Sequence, residues 1–168
     1  MDVDLSTNLE MFPALIAAIA EQGYDMAIGS RLIRGARIVR SLKREVVSRS
    51  YNLLVKTLFF NRFSDGQCGF KAARTSVARA LLPQVKHQGW FFDTELLLLA
   101  ERHGCSIKEV PVEWIEDLDS RVNIMKTAWE DVRGLLRVRV SPQPSLAAAP
   151  PSLPAEEEAL PQGAGRTP

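Results

Sequence analysis

Apolar residues recur along this chain at spacings that alternate between helix and strand. Leu9, Phe12, Leu15, Ile16 and Ile19 fall at helical intervals, the pattern of an amphipathic helix. Thr7-x-x-Glu10 precedes them as a capping box, and Gly23 predicts where that helix stops. Asp25-Met-Ala-Ile-Gly predicts a short buried strand ending at a turn. Residues 43–60 predict a second helix, with Val46, Val47, Leu53, Leu54, Leu58 and Phe59 supplying apolar contacts. A third helix follows Thr75 and ends before Pro83, and a fourth covers about 92–103 and stops at Gly104. Ile107, Val110, Val112 and Trp114 predict a strand around Pro111. A final amphipathic helix is expected from about Met125 to Arg137. This alternation predicts an α/β architecture. The sheet looks incomplete, because only two or three strands are visible.

The last 28 residues, from Ser141, hold seven of the ten prolines in an Ala/Ser background with the run Glu156-Glu157-Glu158. Such a segment buries too little apolar area to offset its ordering entropy. The pattern therefore predicts a folded domain over 1–140 and a disordered Pro/Ala-rich tail over 141–168. Hydrophobic residues at 46% and charged residues at 24% are ordinary for a globular domain. A net charge of +1 offers no bulk attraction to nucleic acid. Two cysteines, Cys68 and Cys105, cannot build a disulfide framework and suit a reducing, cytoplasmic compartment. No basic-then-apolar leader opens the sequence, and no apolar run reaches the ~18 residues of a membrane span.

Five stretches carry chemistry. Asp2-x-Asp4 places two carboxylates on one side of an extended strand end. Hard oxygen ligands of this kind suit Mg²⁺ or Mn²⁺ neutralising a diphosphate, and the same pair also occurs as a solvated strand end. Residues 30–49 concentrate Arg31, Arg34, Arg37, Arg40, Lys43, Arg44 and Arg49 against one acid, Glu45. That stretch suits phosphate groups or an anionic membrane surface, or simply a solvated helix face. No aromatic residue interleaves with it before Tyr51, which disfavours nucleic acid. In Ser64-Asp-Gly-Gln-Cys-Gly-Phe-Lys71, two glycines permit close backbone approach, and Asp65, Gln67 and Lys71 supply polar groups. Cys68 reads as a packed side chain rather than a nucleophile. In Gly89-Trp-Phe-Phe-Asp-Thr-Glu-Leu96, Asp93 and Glu95 open an apolar helix where carboxylates favour the dipole. Trp90, Phe91 and Phe92 beside them resemble a cleft wall. Asp119-Ser-Arg121 ends a loop from which one arginine could reach a phosphate. His87 and His103 have no zinc-ligand spacing.

Taken in order, these segments resemble the family 2 glycosyltransferases that load sugars onto polyprenyl phosphates. The matching pieces are DVDLS, IGSR, the R-S-L-K-R-E-x-x-S-R-x-Y-N helix, SDGQCGFKAAR, GWFFDTELLLLA and EVPVEWIEDLDSRV, over roughly residues 1–125. QCGFK and WFFDTELL look closest to the dolichyl-phosphate β-glucosyltransferases, and dolichyl-phosphate mannose synthases come next. The resemblance implies a GT-A, Rossmann-like fold of which this chain is the C-terminal portion, the N-terminal nucleotide-binding half being missing. It implies that Asp2 and Asp4 bind the metal, with Asp4, Asp65, Gln67, Asp93 and Glu95 at the reacting centre. Arg31, Arg44, Lys71 and Arg121 match positions associated with substrate phosphates. Ser6 falls where some members place a further metal ligand.

The implied reaction is metal-dependent, inverting transfer of a hexose, glucose favoured, from UDP-glucose or GDP-mannose to a polyprenyl (dolichyl-type) phosphate. The implied location is peripheral on the cytoplasmic face of a membrane, with helix 43–60 a candidate to lie in the interface. The alternative is a truncated, non-catalytic remnant or an accessory subunit of a transferase.

Overall fold

A computed structural model describes residues 7–39, 41–115 and 124–141. Asp2, Asp4, Ser6, Arg121 and the segment from residue 142 lie outside the described residues.

The N-terminal helix begins differently from the capping-box expectation. Asn8, with extended backbone, accepts a hydrogen bond from the Glu10 amide (2.9 Å) and caps a single 3-10 turn, Leu9–Met11. Thr7 instead forms an isolated bridge to Trp114. Asn8 wins because its short amide side chain closes a local turn to the amide two residues on. Helix α1, Phe12–Ala20, then follows with Pro13 in its first turn, where a missing N–H costs nothing. Its buried residues are Leu15 and Ala18, while Phe12 and Ile16 remain partly exposed.

Strand β1, Met26–Ser30, is buried along its whole length. It is the centre of a three-stranded sheet. Strand β4, Ile107–Pro111, lies parallel on one side, with Met26 opposite Ile107 and Ser30 opposite Pro111. Strand β3, Lys71–Ala73, lies antiparallel on the other, with Met26 opposite Ala73. Alternation along β1 splits the core. Met26 and Ile28 join the larger apolar cluster with Val55, Phe63, Phe91, Leu97 and Leu135. Ala27 faces the smaller one with Leu15, Cys68, Phe70, Val110 and Val112. Helix α1 covers the second face. Helices α2 (Leu42–Phe59), α3 (Thr75–Leu81), α4 (Phe92–Arg102) and α5 (Ile124–Val140) supply the first.

The strand expected around Pro111 is two strands. β4 ends at Pro111, and β5, Glu113–Ile115, pairs in parallel with β2, Arg37–Val39, in a separate two-stranded sheet. Val112 links the sheets: its amide donates to Ser30 O (3.3 Å) and its carbonyl accepts from Arg37 N (3.1 Å). β2 and β3 escape the periodicity because three residues are too few to show alternation.

The expectation for α2 needs correction on one face. Val55 is buried, and Tyr51, Leu54, Leu58 and Phe59 pack against the larger core. Val46 and Leu53 point to solvent, as do Leu42 and Phe60. These four recur at 4- and 7-residue intervals, so they form one stripe on the side opposite the core. α5 repeats the arrangement: Trp129, Leu136 and Val140 are exposed, while Asp131, Leu135 and Val138 are buried. Phe60 ends α2 in the left-handed region (φ 54°), a conformation that favours glycine.

Candidate functional site

The C-terminal end of β1 delivers Ser30 and Arg31 to the edge of the parallel β1–β4 pair, where α/β proteins commonly place their ligands. The loop over residues 64–70, between α2 and β3, folds back onto that edge. Ser64 anchors it. Its hydroxyl lies 2.7 Å from that of Ser30, and Glu109 of β4 accepts from both the Ser64 hydroxyl (2.6 Å) and amide (2.9 Å).

Asp65, fully buried, is the hub. Oδ2 accepts from Arg31 N (3.1 Å) and Nε (2.7 Å); Oδ1 accepts from Arg31 Nη2 (2.9 Å) and Gln67 N (3.2 Å). Burial pushes this carboxyl up. The Arg31 charge and hydrogen bonds, aided by Lys71, overcome that and hold it below its ordinary 3.8. The Arg31 guanidinium also lies over the Trp114 ring, 5.4 Å from its centroid, a cation–π placement. Trp114 belongs to β5, so the second sheet braces the first through this arginine.

Helices α2 and α4 grip the same loop. Asn52 Oδ1 accepts from Gly66 N (3.0 Å), and its Nδ2 donates to Ser48 O (2.9 Å). Thr94 Oγ1 receives the Tyr51 hydroxyl (3.0 Å) and approaches Gly66 O at 3.4 Å. Burial, and then the charge of Asp131, push the Tyr51 phenol well above its usual range, although its bond to Thr94 lowers it. A Cβ on Gly66 would meet Thr94 Oγ1 at 3.0 Å, so this glycine allows the loop to approach α4 closely.

The remaining polar groups pair across elements. Lys71 Nζ sits 3.1 Å from Asp93 Oδ1 and also donates to the Cys68 carbonyl. Glu95 Oε2 accepts from His87 N (2.9 Å) and from Arg137 Nη2 of α5 (2.6 Å). Gln67 Nε2 donates to Asp131 Oδ2 of α5 at 2.9 Å. Burial raises the Asp131 carboxyl to about 6, partly countered by that bond, with Glu130 adding to the rise. Among the described residues, no group of three or more His, Cys, Asp or Glu side chains is placed to hold a metal ion.

No family model matches the chain. Individual proteins do. Glycosyltransferase AglD of Haloferax volcanii is 37% identical over 125 residues, which is 74% of this chain and 20% of that protein. A dolichyl-phosphate beta-glucosyltransferase of Dictyostelium discoideum is 31% identical over 100 residues, 60% of this chain and 31% of its own length. One from Drosophila melanogaster is 38% identical over 122 residues, 68% of this chain and 37% of its own. The chain belongs to the family 2 glycosyltransferases. The chain aligns with 20% to 37% of the length of these three relatives.

Within this glycosyltransferase chain, Arg31, Asp65, Gln67, Lys71, Asp93 and Glu95 are tied together through the 64–71 loop and the first turn of α4, directly or through α5. Arg44 stands in the first turn of α2, half-buried. The proposed metal and phosphate ligands Asp2, Asp4 and Arg121 lie outside the described residues. Phe91 does not wall a cleft. It is buried in the larger core, whereas Trp90 is exposed.

Sequence reasoning passed over Asn52, Thr94, Glu109, Asp131 and Arg137. Asn52 and Asp131 were detectable, as polar residues at positions where the helical pattern calls for apolar ones. Glu109 and Arg137 carried no such signal, because a charged residue within a half-buried strand and a basic one in the last turn of a helix are both common.

Proposed function

We propose that this chain carries the acceptor side of a hexosyltransferase, moving a hexose, glucose favoured, from a nucleotide sugar to a polyprenyl phosphate. The observation that carries this reading is the union of two motifs distant in sequence. The SDGQCGFK loop and the DTELL turn meet through Lys71–Asp93 and Thr94–Gly66, beside the buried Arg31–Asp65 pair. The names of the relatives support the donor and acceptor classes.

A phosphate monoester has its second pKa near ~6, so the acceptor is already largely anionic at neutral pH and needs no strong general base. Its oxygen forms a bond to the anomeric carbon from the face opposite the leaving group. The bond from that carbon to the diphosphate breaks, the nucleoside diphosphate leaves with the electron pair, and the configuration inverts. The difficulty is electrostatic, since two anions must approach. Lys71 and Arg31 supply positive charge at the edge where they would meet. Asp65 fixes the Arg31 plane, and Asp93 fixes the Lys71 ammonium. A Mg²⁺ or Mn²⁺ ion on Asp2 and Asp4 would neutralise the diphosphate.

A lipid acceptor requires access to a membrane. No helix of the described residues is long and apolar enough to cross one. The outward stripe of Leu42, Val46, Leu53 and Phe60 on α2, flanked by Lys43, Arg49 and Lys56, suits an anionic interface instead. Phe60 supports this reading, because a large exposed side chain stands where the backbone favours glycine.

The test is transfer by the full chain from labelled UDP-glucose, with GDP-mannose in parallel, to polyprenyl phosphate in anionic vesicles with Mg²⁺ or Mn²⁺. A labelled glycolipid is expected, and Lys71→Met should reduce it at least tenfold. No product with either donor, together with no nucleotide-sugar binding by calorimetry, would favour the accessory-subunit reading.

A further inference from the structure

Asp131 is a buried charge that the proposed transfer does not use. It is 2% exposed, on the buried face of α5. One oxygen, Oδ2, accepts from Gln67 Nε2, and the other, Oδ1, has no hydrogen-bond partner among the described residues. A buried carboxylate with one donor is costly, and an asparagine could accept the same bond without the charge. What asparagine could not do is fix the direction of that bond. A carboxylate only accepts, so the Gln67 carboxamide must turn its NH2 toward it. The Gln67 carbonyl oxygen then has to face the other way.

α5 is held in place for this task. One turn after Asp131, Gly134 lies against Phe91, where a Cβ would come within 2.4 Å of the ring. A further turn on, Arg137 binds Glu95. Residues 131, 134 and 137 are spaced three apart, so one helix face grips the 64–71 loop, the aromatic run and the first turn of α4.

We infer that Asp131 is a positioning residue that orients the Gln67 carboxamide, so that its carbonyl oxygen is offered as an acceptor to a hydroxyl of the transferred sugar. A phosphate oxygen, itself an acceptor, would be repelled there. Gln67 thus selects the hydroxyl-bearing part of the substrate, while Lys71 and Arg31 face the anionic part. The role rests on the hexosyltransferase reading for the identity of the ligand, but the orientation of Gln67 does not.

Two measurements on the full chain separate the two. In NMR spectra, the Gln67 side-chain amide should show one hydrogen-bonded, slowly exchanging proton. Asp131→Ala should abolish that signature, and Asp131→Asn, which can donate as well as accept, should weaken it. In the transfer assay, Asp131→Ala should lower kcat by about 10- to 100-fold with the KM for polyprenyl phosphate within about twofold, a split that tests positioning. Gln67→Ala should lower kcat similarly, the double variant should lose no more than either single one, and Asp131→Asn should recover only part of the loss. A Gln67 amide signal indifferent to Asp131→Ala would overturn the inference, as would multiplicative losses in the double variant. A wild-type chain without turnover would count against the hexosyltransferase reading, and the amide signature would still decide the orientation.

Discussion

Replacing Asp65 by asparagine removes one atom's charge and should cost a large part of the fold's stability. Each carboxylate oxygen accepts two N–H groups, Arg31 N and Nε on Oδ2, Arg31 Nη2 and Gln67 N on Oδ1. An asparagine has one acceptor oxygen. Whichever way it turns, its NH2 faces two donors, so two of the four bonds are lost and two donors are set against a third. Arg31, its side chain only 12% exposed, loses the carboxylate that binds it through its backbone amide and two guanidinium nitrogens. Breaking a buried pair from one side costs about 3–5 kcal/mol, against a usual total of about 5–15 kcal/mol. With a urea m-value of about 2 kcal/mol/M, the midpoint should fall by about 2 M, read by tryptophan fluorescence of the full chain. Arg31→Met in the Asp65→Asn background should recover part of the loss, with a coupling of at least about 2 kcal/mol. Because the Asp65 carboxyl is held below 3.8, its contribution is complete above that value and disappears as pH falls through the depressed one. Asp65→Asn should remove that acid limb. A midpoint shift equivalent to less than about 1 kcal/mol, or additive single variants, would refute the brace.

Other consequences can be measured separately. Asp131 behaves oppositely to Asp65. With its carboxyl raised from 3.8 to about 6, the folded chain holds the extra proton between those values, so stability declines as pH rises through that window. After allowance for solvent screening the decline is about 1–2 kcal/mol, and Asp131→Asn should flatten it in denaturation midpoints taken at pH 4 and pH 7. Gly134→Ala should destabilise by about 1–3 kcal/mol through overpacking on Phe91, and a melting temperature equal to wild type would contradict the close approach. Val46→Ser with Leu53→Ser should reduce flotation with anionic vesicles severalfold while leaving the urea midpoint within about 0.5 kcal/mol; a midpoint that falls sharply would mean those residues are packed. Phe60→Gly should raise stability by about 1 kcal/mol by relieving the left-handed backbone, yet weaken vesicle binding.

The long helices and β1 were legible because their apolar spacing extends over several turns or spans a fully buried run. α2 and α4 came within a residue or two of their expected ends, at Leu42–Phe59 and Phe92–Arg102. Periodicity said less about direction. The apolar residues of α2 divide between a core face and an outward stripe, and a single sequence does not distinguish a face that packs from one that waits for a partner. The division at Pro111 was also hidden, since Ile107 to Trp114 alternates as one strand would. In the site, Asp65, Gln67, Lys71, Asp93 and Glu95 stood out as a polar cluster, but their partners did not. Arg31–Asp65 and Gln67–Asp131 span 34 and 64 residues, and nothing local encodes which basic or acidic group meets which. Long-range pairing is decided by the packing of α5 and the β1 edge, and only the folded chain reveals it.

The one-residue passage from β4 through Val112 into β5 sets a rule for how this protein can change length. Trp114 meets Arg31 only because an odd or even count of residues decides the side on which a strand's side chain emerges. One inserted residue between Pro111 and Trp114 would turn the indole away, remove the surface beneath the guanidinium, and slip the β2 pairing at the same moment. Loops elsewhere can grow or shrink over evolutionary time, whereas this junction should tolerate substitution but reject insertion and deletion.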